Sequence, residues 1–295
     1  MSAGSGMTIF NLGSINIDHF YRVPHLPAPG ETLAAHDYRV GLGGKGANQS
    51  AAAAKAGAKV IHIGAVGPEG GWAVDRLAGW GVDVRHVARL DTPTGHAIIN
   101  IDPAGENAIV LYPGANWKLP LSLVEMALAE AGPADTLLLQ NETAYQSEAA
   151  AWAREKGMRV IYSAAPFNVG AVRAVMENVT VLALNAVEAE QLSAAMGIGI
   201  EMLDLPEIVV TRGAEGAEWR SREGACAFAP PIQVQAVDTT GAGDTFAGYF
   251  AAVRDAGQTP GEALDLAGAA ASLKVTRHGT ADAIPTLEEV RSFRA

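Results

Sequence analysis

The chain of 295 residues contains a single cysteine, Cys226. One thiol can form neither an intrachain disulfide nor a cysteine zinc site, which points to a reducing, cytoplasmic setting. No apolar run reaches the roughly 18 residues that a membrane span needs. The opening MSAGSGM lacks the apolar centre of a secretion signal, so residues 1–7 read as a flexible tail. Basic residues are scarce too: 21 Lys and Arg stand against 32 Asp and Glu, a net charge of −11. A broad nucleic-acid surface needs the opposite balance, so neither nucleic acid nor a membrane is expected as a partner. The seven histidines show no metal-ligand spacing. His62 sits in a strand pattern and reads as a packed core residue.

What the chain does have is apolar residues, 49% of the total, enough for a sizeable core. Strand-like and helix-like segments alternate for most of its length. TIFNLG, KVIHIGAVG, DTLLLQ, RVIYSA, TVLALN and EIVVT are strand patterns. GANQSAAAAKAG, GWAVDRLAGWG, SEAAAWAREKG, AVEAEQLSAAMG, DTFAGYFAAVRDAG and PGEALDLAGAAASLKV are helical by period. Such alternation predicts βαβ units in an α/β fold, with a mostly parallel sheet sandwiched by helices. Residues 17–42 and 83–112 break the pattern with strand-like, turn-rich sequence, including PAPGET and DPAGEN. Two β excursions on one side of the core suit a small β lid. The expected division is therefore a core of 8–16, 43–82 and 113–295, with a lid of 17–42 and 83–112.

GLGGKG, Gly41 to Gly46, matches the G-x-G-x-x-G dinucleotide pattern. That reading needs an acidic residue about 20 positions on to hold the ribose hydroxyls. Residues 47–68 contain no Asp or Glu, which argues against an NAD(P)-dependent oxidoreductase. Gly46 follows Lys45 where a Walker motif needs Ser or Thr. Tight packing at a helix start would explain the glycines but not Lys45 and Asn48.

DTTGAGDTF, Asp238 to Phe246, precedes an apolar helix. A helix start needs one cap, and Asp238, Thr239 or Thr240 could supply it. The further run Gly241, Ala242, Gly243 leaves amides bare at the positive end of the helix, an anion site suited to phosphate. Asp244 beside it could accept the proton of a substrate hydroxyl. The plainer alternative is a capped helix carrying a surface aspartate.

DTTGAGDTF and GGKGANQSAAAAKAG together resemble the two signatures of the ribokinase-like carbohydrate kinases, and the resemblance covers about residues 8–294. It implies a ribokinase-like fold, cytoplasmic carbohydrate metabolism, and transfer of the γ-phosphoryl of ATP to a primary hydroxyl. It makes Asp244 the catalytic base and Gly241, Ala242 and Gly243 the anion hole. It puts Asn16, Asp18, Gly44, Lys45, Asn48 and Glu142 on the sugar, with ribose the expected acceptor. Asn185, Thr211, Gly213 and Gly216 fall to the nucleotide. NAVE resembles the family's N-x-x-E motif, in which Asn185 and Glu188 hold Mg²⁺ through water; a capping arrangement at a helix start is the alternative. Carbonyls of Asp238, Thr240, Lys274, Arg277 and Gly279 would hold a monovalent cation such as K⁺. Ala283 stands where many ribokinases have serine, which removes one oxygen from that set. SAAP, residues 163–166, departs from the usual Asn-Pro-Ala-Pro type of segment, and the span from Asn185 to Thr211 is short, predicting a trimmed helix. A homodimer through the lid is expected. Other sugars, nucleosides and sugar phosphates stay open as acceptors, and a catalytically silent sugar- or nucleotide-binding regulator is the alternative of another class.

Overall fold

Unbroken apolar runs form the central strands, because a parallel sheet covered on both faces buries both sides of each strand. In the computed structural model, which describes residues 7–294, all five residues of TIFNL and of TLLLQ are buried. The expected 1–7 tail lies outside the described residues, apart from Met7.

The chain runs through β1 (Thr8–Leu12), β2 (Asn16–Arg22), β3 (Asp37–Gly43), α1 (Lys45–Lys55), β4 (Lys59–Val66), α2 (Gly71–Gly79), β5 (Asp83–Arg89), β6 (Gly95–Ile101) and β7 (Asn107–Tyr112). It continues through α3 (Leu121–Ala129), β8 (Thr136–Gln140), α4 (Gln146–Glu155), β9 (Arg159–Ser163), α5 (Val169–Val175), β10 (Val181–Asn185) and α6 (Ala186–Met196). The last elements are β11 (Glu207–Thr211), β12 (Ala217–Ser221), β13 (Cys226–Ala229), α7 (Ala242–Asp255), α8 (Pro260–Lys274) and α9 (Leu287–Arg294).

Nine strands form one sheet in the order β13-β12-β11-β10-β9-β8-β1-β4-β5. Every pair from β11 to β5 is parallel; β12 and β13 add an antiparallel edge. From β1 the connections turn towards β4 on one side and β8 on the other. Open sheets bind ligands at such a reversal, beyond the carboxyl ends of the strands. Two apolar clusters sandwich the sheet. One joins α1, α7 and α8 through residues such as Ala51, Phe250 and Leu264; the other joins α3, α4 and α6 through Val124, Ala150 and Leu192.

A separate sheet, β3-β2-β6-β7, forms the lid around a small core of Phe20, Ala97 and Ile99. One boundary differs from the expectation. Residues 83–89, assigned to the lid by their strand-like character, are β5 and pair in parallel with β4 in the large sheet. Strand propensity does not specify which sheet a strand joins, and the α2 crossover returns β5 beside β4. The short span before β11 holds one α-helix, α6, and a 3₁₀ turn at Ile200–Met202, in line with a trimmed connection.

Candidate active site

Glycines let the two halves of the site close on each other. A Cβ on Gly46 would lie 2.3 Å from the Cα of Gly13, and one on Gly43 would lie 2.0 Å from Oδ2 of Asp18. Gly44 adopts φ +89 at the start of α1, against the backbone of Ser14 and Asn16. The GLGGKG run is thus a packing device that brings α1 onto the β1–β2 turn.

Asp244 is 8% exposed in the first turn of α7. Its Oδ2 accepts from Nδ2 of Asn48 at 2.9 Å and its Oδ1 from Nε2 of Gln49 at 3.1 Å. The Oδ1 of Asn48 is buried without a hydrogen-bond partner. Gly241 begins α7 at φ +74 with no side-chain cap. Ala242 donates its amide to the Thr239 carbonyl at 3.2 Å, while the amides of Gly241 and Gly243 meet no backbone acceptor among the described residues. Two of the three expected bare amides are therefore available, and the third closes a turn. A Cβ on Gly243 would meet nothing within 4 Å, so this residue borders open space.

Lys45, Asn185, Glu188, Thr211, Gly243 and Asp244 line a cleft of about 240 Å³. Through Thr211, Gly243 and Phe246 it continues into a more apolar cavity of about 330 Å³, bordered by Gly213, Gly216, Pro231, Ile232 and Val275. Most of these residues follow the carboxyl ends of strands or begin helices, and Val275 closes the end of α8. Asn185 and Glu188 form a reciprocal capping box, with backbone-to-side-chain bonds of 2.9 and 2.8 Å. The capping alternative is realised at the edge of the cleft, and it engages the single side-chain oxygen of Asn185 and one of the two of Glu188.

On the lid side, Asn16 is 4% and Asp18 is 7% exposed. Asn16 accepts from Asn116 Nδ2 at 2.8 Å. Glu142 accepts from the Lys45 amide at 3.0 Å and from the Ser14 hydroxyl. Burial, then the charges of Glu142 and Asp244, push the Asp18 carboxyl up to about 7. Burial also raises Glu142, opposed by Lys45. Asp244 draws the Lys45 ammonium above its ordinary value. Three carboxylates and one lysine thus act on one another's charge.

The sequence reading missed the residues that hold these groups. Gln140 donates to Gln49 and to Asn11, each at 2.8 Å. Asn11 donates to Ser50, which meets His62, which reaches the Gly13 carbonyl at 3.1 Å. Burial lowers His62 to about 4, so it serves this chain as a neutral ring. Asn116 also ties Ile15 and Asn16 together. A polar residue inside an otherwise apolar strand, such as Asn11 or Gln140, was the available signal.

Residues 8–287 match the family model for pfkB family carbohydrate kinases. The chain belongs to this family. A pfkB carbohydrate kinase is a phosphotransferase. Ribokinase from Haemophilus influenzae is 35% identical over 97% of this chain and 98% of its own. Deoxyribokinase from Salmonella typhi is 29% identical over the same shares. The solved structure of Arabidopsis thaliana ribokinase complexed with ribose and ATP matches with a TM-score of 0.84 and 28% identity, covering 98% of each chain. No helix among the described residues is long and apolar enough to cross a membrane.

Proposed function

We propose that this pfkB kinase transfers the γ-phosphoryl group of ATP to the primary hydroxyl of D-ribose, forming D-ribose 5-phosphate. The observation that carries the reading is the buried Asp244 carboxylate, held by Asn48 and Gln49 beside unpartnered amides at the start of α7. Phosphoryl transfer requires positioning and charge stabilisation more than covalent chemistry. Asp244 accepts the hydroxyl proton as the oxygen attacks phosphorus. The amides of Gly241 and Gly243 hold the oxygens of the migrating group in a preformed site, and Ala242 shapes the turn that presents them. Lys45 supplies positive charge across the same cleft.

Asn16, Asp18, Asn48 and Glu142 offer amide and carboxylate groups to vicinal hydroxyls, and the unpartnered Oδ1 of Asn48 suits a hydroxyl donor. Gly44 lets the start of α1 close on the Ser14 and Asn16 backbone beside these groups. Thr211, Gly213 and Gly216 border the apolar cavity that suits the adenine ring. Asn185 and Glu188 would hold Mg²⁺ through water, because the capping box leaves Oε1 of Glu188 unused and a strongly hydrated ion needs few protein oxygens. The metal supplies neutralisation of phosphate charge when bound.

The deoxyribokinase relative favours a second reading, in which 2-deoxyribose is the acceptor. Ile109, Val110 and Leu111 stand exposed along β7 and support a homodimer through the lid. Light scattering behind size exclusion tests that assembly, and a monomer alone removes it. An ADP-release assay with ATP and Mg²⁺ over ribose, 2-deoxyribose, other sugars and nucleosides tests the function. Ribose giving the highest kcat/KM is the expected result. Ligand-induced thermal stabilisation without turnover on any acceptor identifies a silent binder instead.

A further inference from the structure

The family resemblance calls for a monovalent cation among the carbonyls of Asp238, Thr240, Lys274, Arg277 and Gly279, and the residues present do not fit one. The Nζ of Lys274 donates to the Asp238 carbonyl at 2.9 Å, and Lys274 is 0% exposed. The Asp238 carboxylate is engaged as well, accepting from the amides of Thr240 at 3.0 Å and Gly279 at 2.9 Å. The Lys274 carbonyl accepts from the Arg277 amide at 3.0 Å. Ala283 contributes no side-chain oxygen.

A buried ammonium carries the same unit charge that a potassium ion would bring. A second cation beside it would meet like-charge repulsion that water screens poorly in the interior. Lys274 leaves the last turn of α8, where a cation is favoured by the helix dipole. The Val275 carbonyl next to it accepts from the amides of Val237 and Asp238, at 2.7 and 3.1 Å, so the segment leading into the anion cradle is fixed to the end of α8. Burial holds the Lys274 ammonium below its ordinary value, opposed by the charges of Asp238 and then Asp244.

We infer that the Lys274 side chain is a built-in replacement for the monovalent cation, fixing the 238–241 turn, and that the enzyme needs no potassium. The inference rests on the phosphoryl-transfer reading for its catalytic consequence only; cation binding is measured separately.

The test compares wild type with Lys274→Ala in potassium and in tetramethylammonium buffers of equal ionic strength. Thallium(I), a potassium mimic, is located by anomalous scattering. Wild type should show equal turnover and equal Tm in both buffers, and no thallium at the 238–279 loops. Lys274→Ala should lose at least about tenfold of its turnover without potassium, the scale of one charge-assisted hydrogen bond. Potassium should restore that turnover, with thallium bound at the vacated position. A thallium peak in wild type, or wild-type activation of about tenfold by potassium, overturns the inference, as does a variant that potassium fails to rescue. If the variant does not fold, the wild-type measurements decide. If no acceptor is phosphorylated at all, the functional reading falls while the thallium result still decides the cation question.

Discussion

Nδ2 of Asn48 lies 2.9 Å from Oδ2 of Asp244, across 196 positions of sequence. This bond joins the two glycine-rich segments into one site. On the proposed reading it also orients the proton acceptor by a residue that faces the sugar, which would couple acceptor binding to base placement.

Replacing Asp244 with Asn keeps the shape and removes the base. Turnover should fall by about 10²–10⁴-fold, the usual contribution of a general base. Ribose affinity by calorimetry should change little. Near-normal turnover would remove Asp244 from the chemistry.

Gln49, 0% exposed and bonded to both Asp244 and Gln140, is placed to position the proposed base. Gln49→Ala leaves polar partners buried and unpaired, at about 1–3 kcal/mol. Tm should drop, and kcat should fall with the KM for ATP unchanged. A stability loss with kcat intact would make the residue purely structural.

Gly243 separates folding from function. A Cβ there meets nothing within 4 Å, and the residue lies in a helix. Gly243→Ala should stabilise the fold by roughly 0.5–1 kcal/mol. It should nonetheless reduce turnover, because the methyl group enters the cleft that the proposed function assigns to phosphate. Thermal melts and steady-state kinetics on one preparation test both signs.

Asp18 makes stability depend on pH in a defined direction. Its carboxyl titrates at about 7 when folded, against an ordinary value of 3.8. Below the lower value the proton is bound in both states and there is no penalty. As pH rises between the two values the unfolded chain releases its proton first, so the destabilisation grows, and it levels off above the folded value. Asp18→Asn should therefore raise Tm most at about pH 8 and least at about pH 4, while weakening ribose binding. A Tm gain independent of pH would contradict this.

Gly46 tests the packing reading of GLGGKG. A methyl group there overlaps the Gly13 backbone at 2.3 Å. Gly46→Ala should cost at least about 1–3 kcal/mol of stability, the range for overpacking. Denaturant melts report it directly, and an unchanged midpoint would show that the turn can yield.

The sequence by itself determined the α/β class, because apolar runs such as TLLLQ and helix-period segments such as DTFAGYFAAVRDAG are local patterns. It also determined the two glycine-rich helix starts and the base candidate, since small residues ahead of an acid are visible in one dimension. Only the tertiary structure decided which sheet β5 joins, because propensity is blind to pairing partners. It alone brought Gln49, Gln140, Asn11 and His62 into one chain behind Asp244, and aimed the Lys274 ammonium at the Asp238 carbonyl. Those contacts span many tens of residues, and their energy depends on burial and exact distance, quantities that exist only once the chain has closed on itself.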